Sequence, residues 1–195
     1  MHEVPLTFDE PAHPVGPSAG AVDATRLRAV IEAHFVFVGR SLRGLGVAEA
    51  DVDDALQQVF LVLSKKLPEL SEGGVRAFLF QTALRIASRA RRTVARRREV
   101  DEASIPETTD PAAGPEELTE QLRARAVLDR LLEDMDLDLR SVFVLFEIEE
   151  LSTAEIAALL ELPQGTVGSR LRRAREEFEA RVRRLSAENA IGGGR

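Results

Sequence analysis

The chain has 195 residues, room for one domain or two small ones, and its Leu-, Ala-, Arg- and Glu-rich composition without Tyr or Trp points to an all-α protein. The absence of cysteine excludes a disulfide framework, a thiolate metal site and a cysteine nucleophile, and suits a reducing, cytoplasmic setting. The net charge of −7 argues against a nucleic-acid binder only until it is divided: residues 23–100 carry +5 and 164–195 carry +4, whereas 1–22, 101–120 and 121–163 carry −3, −7 and −6.

Residues 1–22 hold Pro5, Pro11, Pro14 and Pro17 among acids and read as a flexible tail, with no apolar run long enough for a signal or membrane span. Two of the three histidines, His2 and His13, fall there and His34 lies apart, so no histidine cluster is available to a metal. From Asp23 to about Gly44, Leu27, Val30, Ile31, Phe35, Val38 and Leu42 are spaced as one helical face, ended by Gly44 and Gly46. A second helix carries Val52, Leu56, Val59, Leu63 and Leu67, with Asp51 and Asp54 placed to cap its first turn and Pro68 to close it. A third runs from about Arg76 to Arg98, with Leu79, Ala83, Ile86, Ala90 and Val94 on its apolar side.

Residues 101–116 combine Pro106, Pro111, Gly114 and Pro115 with acids, the composition of a linker, and mark a domain boundary. Beyond it, Leu118, Leu122, Leu128, Leu131, Leu132 and Met135 form one stripe, and Leu139, Val142, Phe143 and Phe146 another. Ser152 and Glu155 have the spacing of a capping box, which starts a short helix burying Ile156, Ala157 and Leu160. Leu162-Pro163 interrupts it before a longer helix with Val167, Leu171, Ala174, Phe178, Val182 and Leu185 inward, and small Ala157 opposite Val167 permits a close crossing. This is the pattern of a helix-turn-helix, with Glu161 at the turn position that often holds Gly.

Three surfaces carry candidate function. The outer side of the last helix presents Gln164, Thr166, Ser169, Arg170, Arg172 and Arg173, a set able to read base edges and grip phosphate; a bidentate Arg–guanine pair discriminates by roughly 1–3 kcal/mol. In the third helix Arg85, Arg89, Arg92 and Arg96 recur at four, three and four, extended by Arg91, Arg97 and Arg98, and no acid lies between Glu72 and Glu99. Such a stripe suits a phosphate backbone, or alternatively acids of its own protein. The second helix opens Asp51-Val52-Asp53-Asp54 and continues through Gln57, Gln58 and Phe60, acidic and amide-rich outside, either compensating the helix dipole or meeting a partner that is not DNA.

In this order the parts resemble an extracytoplasmic-function (ECF) sigma factor of the sigma-70 type. The second conserved region of that family is resembled by Asp51–Phe60 and by Ala77-Phe78-Leu79-Phe80-Gln81-Thr82-Ala83 running into the arginines. The fourth is resembled by Leu151-Ser152-Thr153-Ala154-Glu155-Ile156-Ala157 and by Pro163 to Arg175. The resemblance implies two small helical domains joined by a flexible acidic linker: a region 2 unit at 23–100, the linker at 101–116, a region 4 helix-turn-helix unit at 117–187 and a tail at 188–195. It implies a cytoplasmic protein that binds core RNA polymerase and starts transcription at chosen promoters. Asp51, Asp53, Asp54, Gln57, Gln58 and Phe60 would dock on the clamp helices of the largest subunit, with the flap region as a further polymerase contact. Arg85, Arg89, Arg92 and Arg96 would hold the strand backbone of the minus-ten element, and the Gln164–Arg175 helix would read the minus-thirty-five element. Arg85 stands where the family commonly has Asn, and Gly168 where it often has a basic residue. An anti-sigma factor is a candidate partner, as for many relatives; no membrane insertion, catalytic residue, metal or cofactor is expected. The alternative is a stand-alone helix-turn-helix repressor or activator, which would footprint a two-fold site unaided.

Overall fold

The computed structural model describes residues 19–100 and 116–192; the expected tails and the linker fall largely outside these, as do the side chains of Arg97, Arg98, Leu118 and Leu122. Among the described residues there are seven α-helices and no strand: α1 (Ala19–Gly44), α2 (Val52–Lys66), α3 (Val75–Val100), α4 (Glu116–Leu132), α5 (Leu137–Phe143), α6 (Thr153–Leu160) and α7 (Gln164–Gly192). The all-α expectation holds. Both outer helices overrun their expected limits, α1 beginning at Ala19 and α7 continuing to Gly192.

Helix α1 stops in a paired-hydrogen-bond cap. Val47 N–H donates to Leu42 O (3.1 Å) and Gly46 N–H to Arg43 O (2.9 Å), with Gly46 at φ 95°, a conformation that favours glycine. A 3-10 turn, Glu49–Asp51, then leads into α2. The expected side-chain cap at Asp51 does not form: its backbone is already helical (φ −103°, ψ −4°), so the carboxylate cannot swing back over the first N–H groups as an extended N-cap residue does. Glu49 instead accepts two bonds from Arg43, at 2.7 and 2.9 Å.

Phe37, Val38, Leu42, Val52, Leu56, Val59, Leu63, Leu79, Phe80, Ala83 and Ala87 build the core between α1, α2 and α3. Two expected core positions lie outside it. Phe35 is 49% exposed, because the buried stripe of α1 passes through Phe37, Val38, Ser41 and Leu42, and its ring stacks on Phe60 at 6.2 Å. Val94 is 43% exposed, since α3 has 26 residues against 15 in α2 and outruns its partner by roughly 16 Å at ~1.5 Å per residue. Val182, in the equally overlong α7, is exposed for the same reason.

Helix α5 passes into a π-helical turn, Val144–Ile148, in which Glu149 N–H reaches back to Val144 O (3.0 Å). Leu132, Met135, Leu139, Phe143 and Ala174 form a second cluster, with the Phe143 and Phe178 rings 4.9 Å apart. The first core does not end with α3: Val142, Leu145, Leu151, Ile156, Leu159, Val167 and Leu171 belong to the same continuous apolar cluster. Polar contacts follow this seam. Arg140, only 2% exposed, donates to Gly44 O (2.5 Å) and Leu132 O (2.6 Å), Arg40 makes a two-pronged pair with Glu149 (2.9 and 3.0 Å), and Gln81 donates to Leu159 O (3.2 Å).

Gly44 sets how closely the seam can shut, since a Cβ there would stand 2.8 Å from Val144 Cγ1. Gly44→Ala should therefore destabilise the protein by about 1–2 kcal/mol through overpacking. Most of that penalty should vanish in a Val144→Ala background, as read from urea denaturation of the four-member cycle; equal penalties in both backgrounds would show that these two residues do not meet.

Candidate nucleic-acid interface

The helix-turn-helix is built by local chemistry. Ser152, extended at φ −66° and ψ 157°, accepts from Glu155 N–H (3.3 Å), while Glu155 accepts from Ser152 N–H (2.8 Å) and from its hydroxyl (2.7 Å). The hydroxyl bond, and after it the backbone bond, hold the Glu155 carboxyl below its ordinary range. Helix α6 ends at Glu161, which adopts the left-handed conformation (φ 56°, ψ 43°) at the turn position that often holds Gly. Leu162 N–H closes the turn on Ala157 O (2.9 Å), and Pro163 O accepts from Thr166 and Val167 N–H to start α7. Gln164 Nε2 also donates to Thr153 Oγ1 (3.0 Å), tying the starts of α6 and α7 together. Val167, Leu171 and Ala174 face inward, and Ala157 packs on the cluster that holds Val167.

Away from that buried stripe, α7 leaves Gln164, Ser169, Arg172 and Arg173 exposed and Thr166 and Arg170 half-buried. Their partners differ. Ser169 turns its hydroxyl onto Thr166 O (2.9 Å) and Arg170 pairs with Asp138 (2.6 Å). Arg172 pairs with Glu176 (2.7 Å), and Arg175 both pairs with Glu147 (2.7 Å) and lies over the Phe146 ring (4.8 Å). Arg173 has no ion pair among the described residues.

On α3, Arg85, Arg89, Arg92 and Arg96 are all exposed, and none has a carboxylate partner among the described residues. The expected extension through Arg91 is a correction. Its guanidinium turns inward and donates to Glu133 O (3.0 Å) and Met135 O (2.9 Å), and burial lowers its proton affinity. The signal was present in the sequence, for Arg91 continues the buried steps Ala83 and Ala87.

On α2, Asp51, Asp53, Asp54, Gln57 and Gln58 are exposed, as a docking face requires. Phe60 is mostly buried and reaches the surface through its stack with Phe35. The structure adds exposed apolar residues on α1 and α2 that sequence reasoning missed: Phe35, Val36, Leu61 and Val62. Asp51, Asp54 and Gln58 line one side of a groove of about 260 Å³, and Arg89 and Thr93 of α3 line the other. Among the described residues no cluster of His, Asp or Glu is arranged to hold a metal, and no helix is long and apolar enough to cross a membrane.

A capped short helix, a left-handed turn and a long basic helix packed across it define a helix-turn-helix, and residues 125–178 match the Sigma-70, region 4 family. The chain is 29% identical over 148 residues to the ECF RNA polymerase sigma-E factor of Escherichia coli K12, covering 71% of this chain and 78% of that protein. With the ECF RNA polymerase sigma factor SigE of Mycolicibacterium smegmatis the identity is 28% over 165 residues, 83% of this chain and 63% of that one. In fold it is similar to CnrH, solved with the cytosolic domain of CnrY (TM-score 0.60, 23% identity, 80% of this chain and 87% of that one). It is also similar in fold to the sigma factor RpoE of Bartonella quintana, solved with the anti-sigma factor NepR (TM-score 0.56, 18% identity, 82% and 96%). Over most of its length the chain is thus similar to ECF RNA polymerase sigma factors, proteins that direct transcription initiation.

The capping box gives a pH test. A carboxyl held low in the folded state stabilises above its unfolded value, and that contribution is lost as pH falls through the folded value. Ser152→Ala should therefore lower stability at neutral pH and lose part of its penalty in acid. Denaturation of both forms across pH measures this; a penalty independent of pH would uncouple Ser152 from Glu155.

Proposed function

We propose that the chain works as two small helical units, residues 23–100 and 117–187, tethered by the acidic segment 101–116, that engage separate promoter elements while α2 grips core RNA polymerase. The observation that carries this reading is the row of four exposed arginines on α3 without carboxylate partners among the described residues, apart in sequence from the basic helix α7. The first suits the strand backbone of the minus-ten element, through Arg85, Arg89, Arg92 and Arg96. The second suits duplex at the minus-thirty-five element, through Gln164, Thr166, Ser169, Arg170, Arg172 and Arg173. Asp51, Asp53, Asp54, Gln57, Gln58 and Phe60 face the clamp helices of the polymerase largest subunit, and Phe35, Val36, Leu61 and Val62 supply apolar area beside those charges. The flap region and promoter DNA complete the partners, an anti-sigma factor is a further one, and the setting is cytoplasmic.

Distance supports the division into units. Elements roughly 25 base pairs apart are separated by roughly 85 Å at ~3.4 Å per pair. A compact chain of this length has a radius of gyration of about 16 Å, too small to span them. The two units must part along the seam on a promoter, and a tether of sixteen residues reaches at most about 55 Å, which the bodies of the units extend.

Run-off transcription with purified core polymerase on a genomic promoter pool, with and without the chain, is the deciding experiment; no chain-dependent transcript would refute the proposal. Within that assay Arg170→Ala should relax base choice at the upstream element, losing about 1–3 kcal/mol of discrimination. Arg92→Ala should instead weaken all promoters alike and flatten the salt dependence by about 0.7–0.9 in the log–log slope. Asp54→Lys should reduce capture by core polymerase while helicity stays intact, as seen by co-elution and circular dichroism; undiminished capture would remove α2 from the docking surface.

A further inference from the structure

We infer that Asp138 and Glu147 are specificity determinants of the recognition helix: each holds one arginine of α7 in a pair that excludes phosphate but still allows a base edge. This rests on α7 being the reading helix. The two basic surfaces of the molecule differ in one respect that charge counting hides. On α3 the stripe arginines are free of carboxylates among the described residues, whereas on α7 Arg170 and Arg175 are bound at 2.6 and 2.7 Å by acids from outside the helix. Asp138 comes from the first turn of α5, a turn fixed by the Asp136 side chain accepting from Asp138 N–H (2.9 Å). Glu147 comes from the π-helical turn, and Arg175 is further confined by the Phe146 ring. Arg172–Glu176 is a different case, an i,i+4 pair within α7 with both side chains largely exposed, of the kind that contributes little.

Counterion release explains what such pairs do. An unpaired arginine that meets a phosphate frees a condensed cation, and this term drives sequence-independent binding. An arginine taken from its own carboxylate frees that cation but leaves an acid beside the backbone, which recruits a cation in turn or repels the phosphate. The net release is about zero. A guanine edge is neutral and needs no such exchange. Asp138 engages only NH2 of Arg170 and Glu147 only Nε of Arg175, so each guanidinium keeps most of its five donors for a base. The pairs thus remove non-specific affinity while preserving base contact, and they fix the direction in which each fork points.

The test uses holoenzyme assembled from core polymerase and the full chain, on a promoter and on the same promoter with a scrambled upstream element, over a salt series. Asp138→Asn with Glu147→Gln should tighten binding to the scrambled DNA and steepen its log–log salt slope by up to about 1.8, two phosphates' worth. The promoter-to-scrambled ratio should fall about tenfold, on the order of one lost bidentate contact. Glu150→Gln with Asp134→Asn, which removes the same two charges from exposed residues of the same unit without freeing an arginine of α7, should change neither. An unchanged slope and ratio, weaker binding to both DNAs, or an equal response to Glu150→Gln with Asp134→Asn would overturn the inference. Arg170→Ala in the same assay separates it from the reading beneath: a ratio relaxed by Arg170→Ala but not by the carboxylate variants sinks this inference alone, and a ratio unmoved by either sinks both.

Discussion

The packing of this molecule turns on one buried cation. Arg140 has lost nearly all contact with water, and burial, with Arg91 as a like-charged neighbour, pulls its pKa down to about 10, so it is still charged at neutral pH. A buried charge of that kind persists only if other dipoles replace its hydration. Here they are carbonyls at two helix C-termini, Gly44 O at the end of α1 and Leu132 O at the end of α4, where the helix dipole is negative and carbonyls lack intrahelical partners. The same side chain sits against Gly46, where an added Cβ would come within 3.0 Å of its NH1. One guanidinium thus satisfies the ends of two helices and fixes the turn between α1 and α2 against α5.

Around that point the seam is zoned. Apolar residues from α1, α3, α5, α6 and α7 form its centre, and polar groups occupy its margin: Arg40 with Glu149, Gln81 with Leu159 O, and Arg91 with the carbonyls after α4. A margin of hydrogen bonds and ion pairs can exchange for water at modest cost, since each contributes on the order of 1 kcal/mol net. The centre is a real core, and exposing it requires another surface to replace it. That requirement links the seam to the docking proposal, because α1 and α2 also expose Phe35, Val36, Leu61 and Val62, apolar side chains that a partner could cover.

Much of this was legible in the sequence wherever the controlling partners are close along the chain. The capping box, the left-handed turn and the α3 stripe depend on residues three to five apart, and each appears where its spacing places it. Most failures come from partners far along the chain, and one from a local turn. Phe35 and Val94 have correct helical spacing but no neighbour to pack on, which depends on the lengths of other helices. Asp51 has the composition of a cap but the backbone of a helix, because a 3-10 turn precedes it. Arg91 and Arg140 look like surface charges until carbonyls 42 to 96 residues away are brought to them. Asp138 and Glu147 gave no signal at all, since an isolated acid in an acidic stretch acquires meaning only from the arginine it meets 28 to 32 residues later.

The same residue type therefore does three different jobs here, and its surroundings decide which. Arginine surrounded by carbonyls joins helices, as Arg140 and Arg91 do. Arginine on a helix face without acids is available to any polyanion, as along α3. Arginine held by a carboxylate from another helix is restricted to neutral acceptors, as Arg170 and Arg175 are on α7. An excess of acid over base in the whole chain is then compatible with binding DNA, because part of the negative charge of residues 121–163 is spent on arginines rather than displayed against the duplex. Affinity for phosphate and discrimination between bases are physically separable, and on the proposed reading they fall to different helices according to where the carboxylates stand.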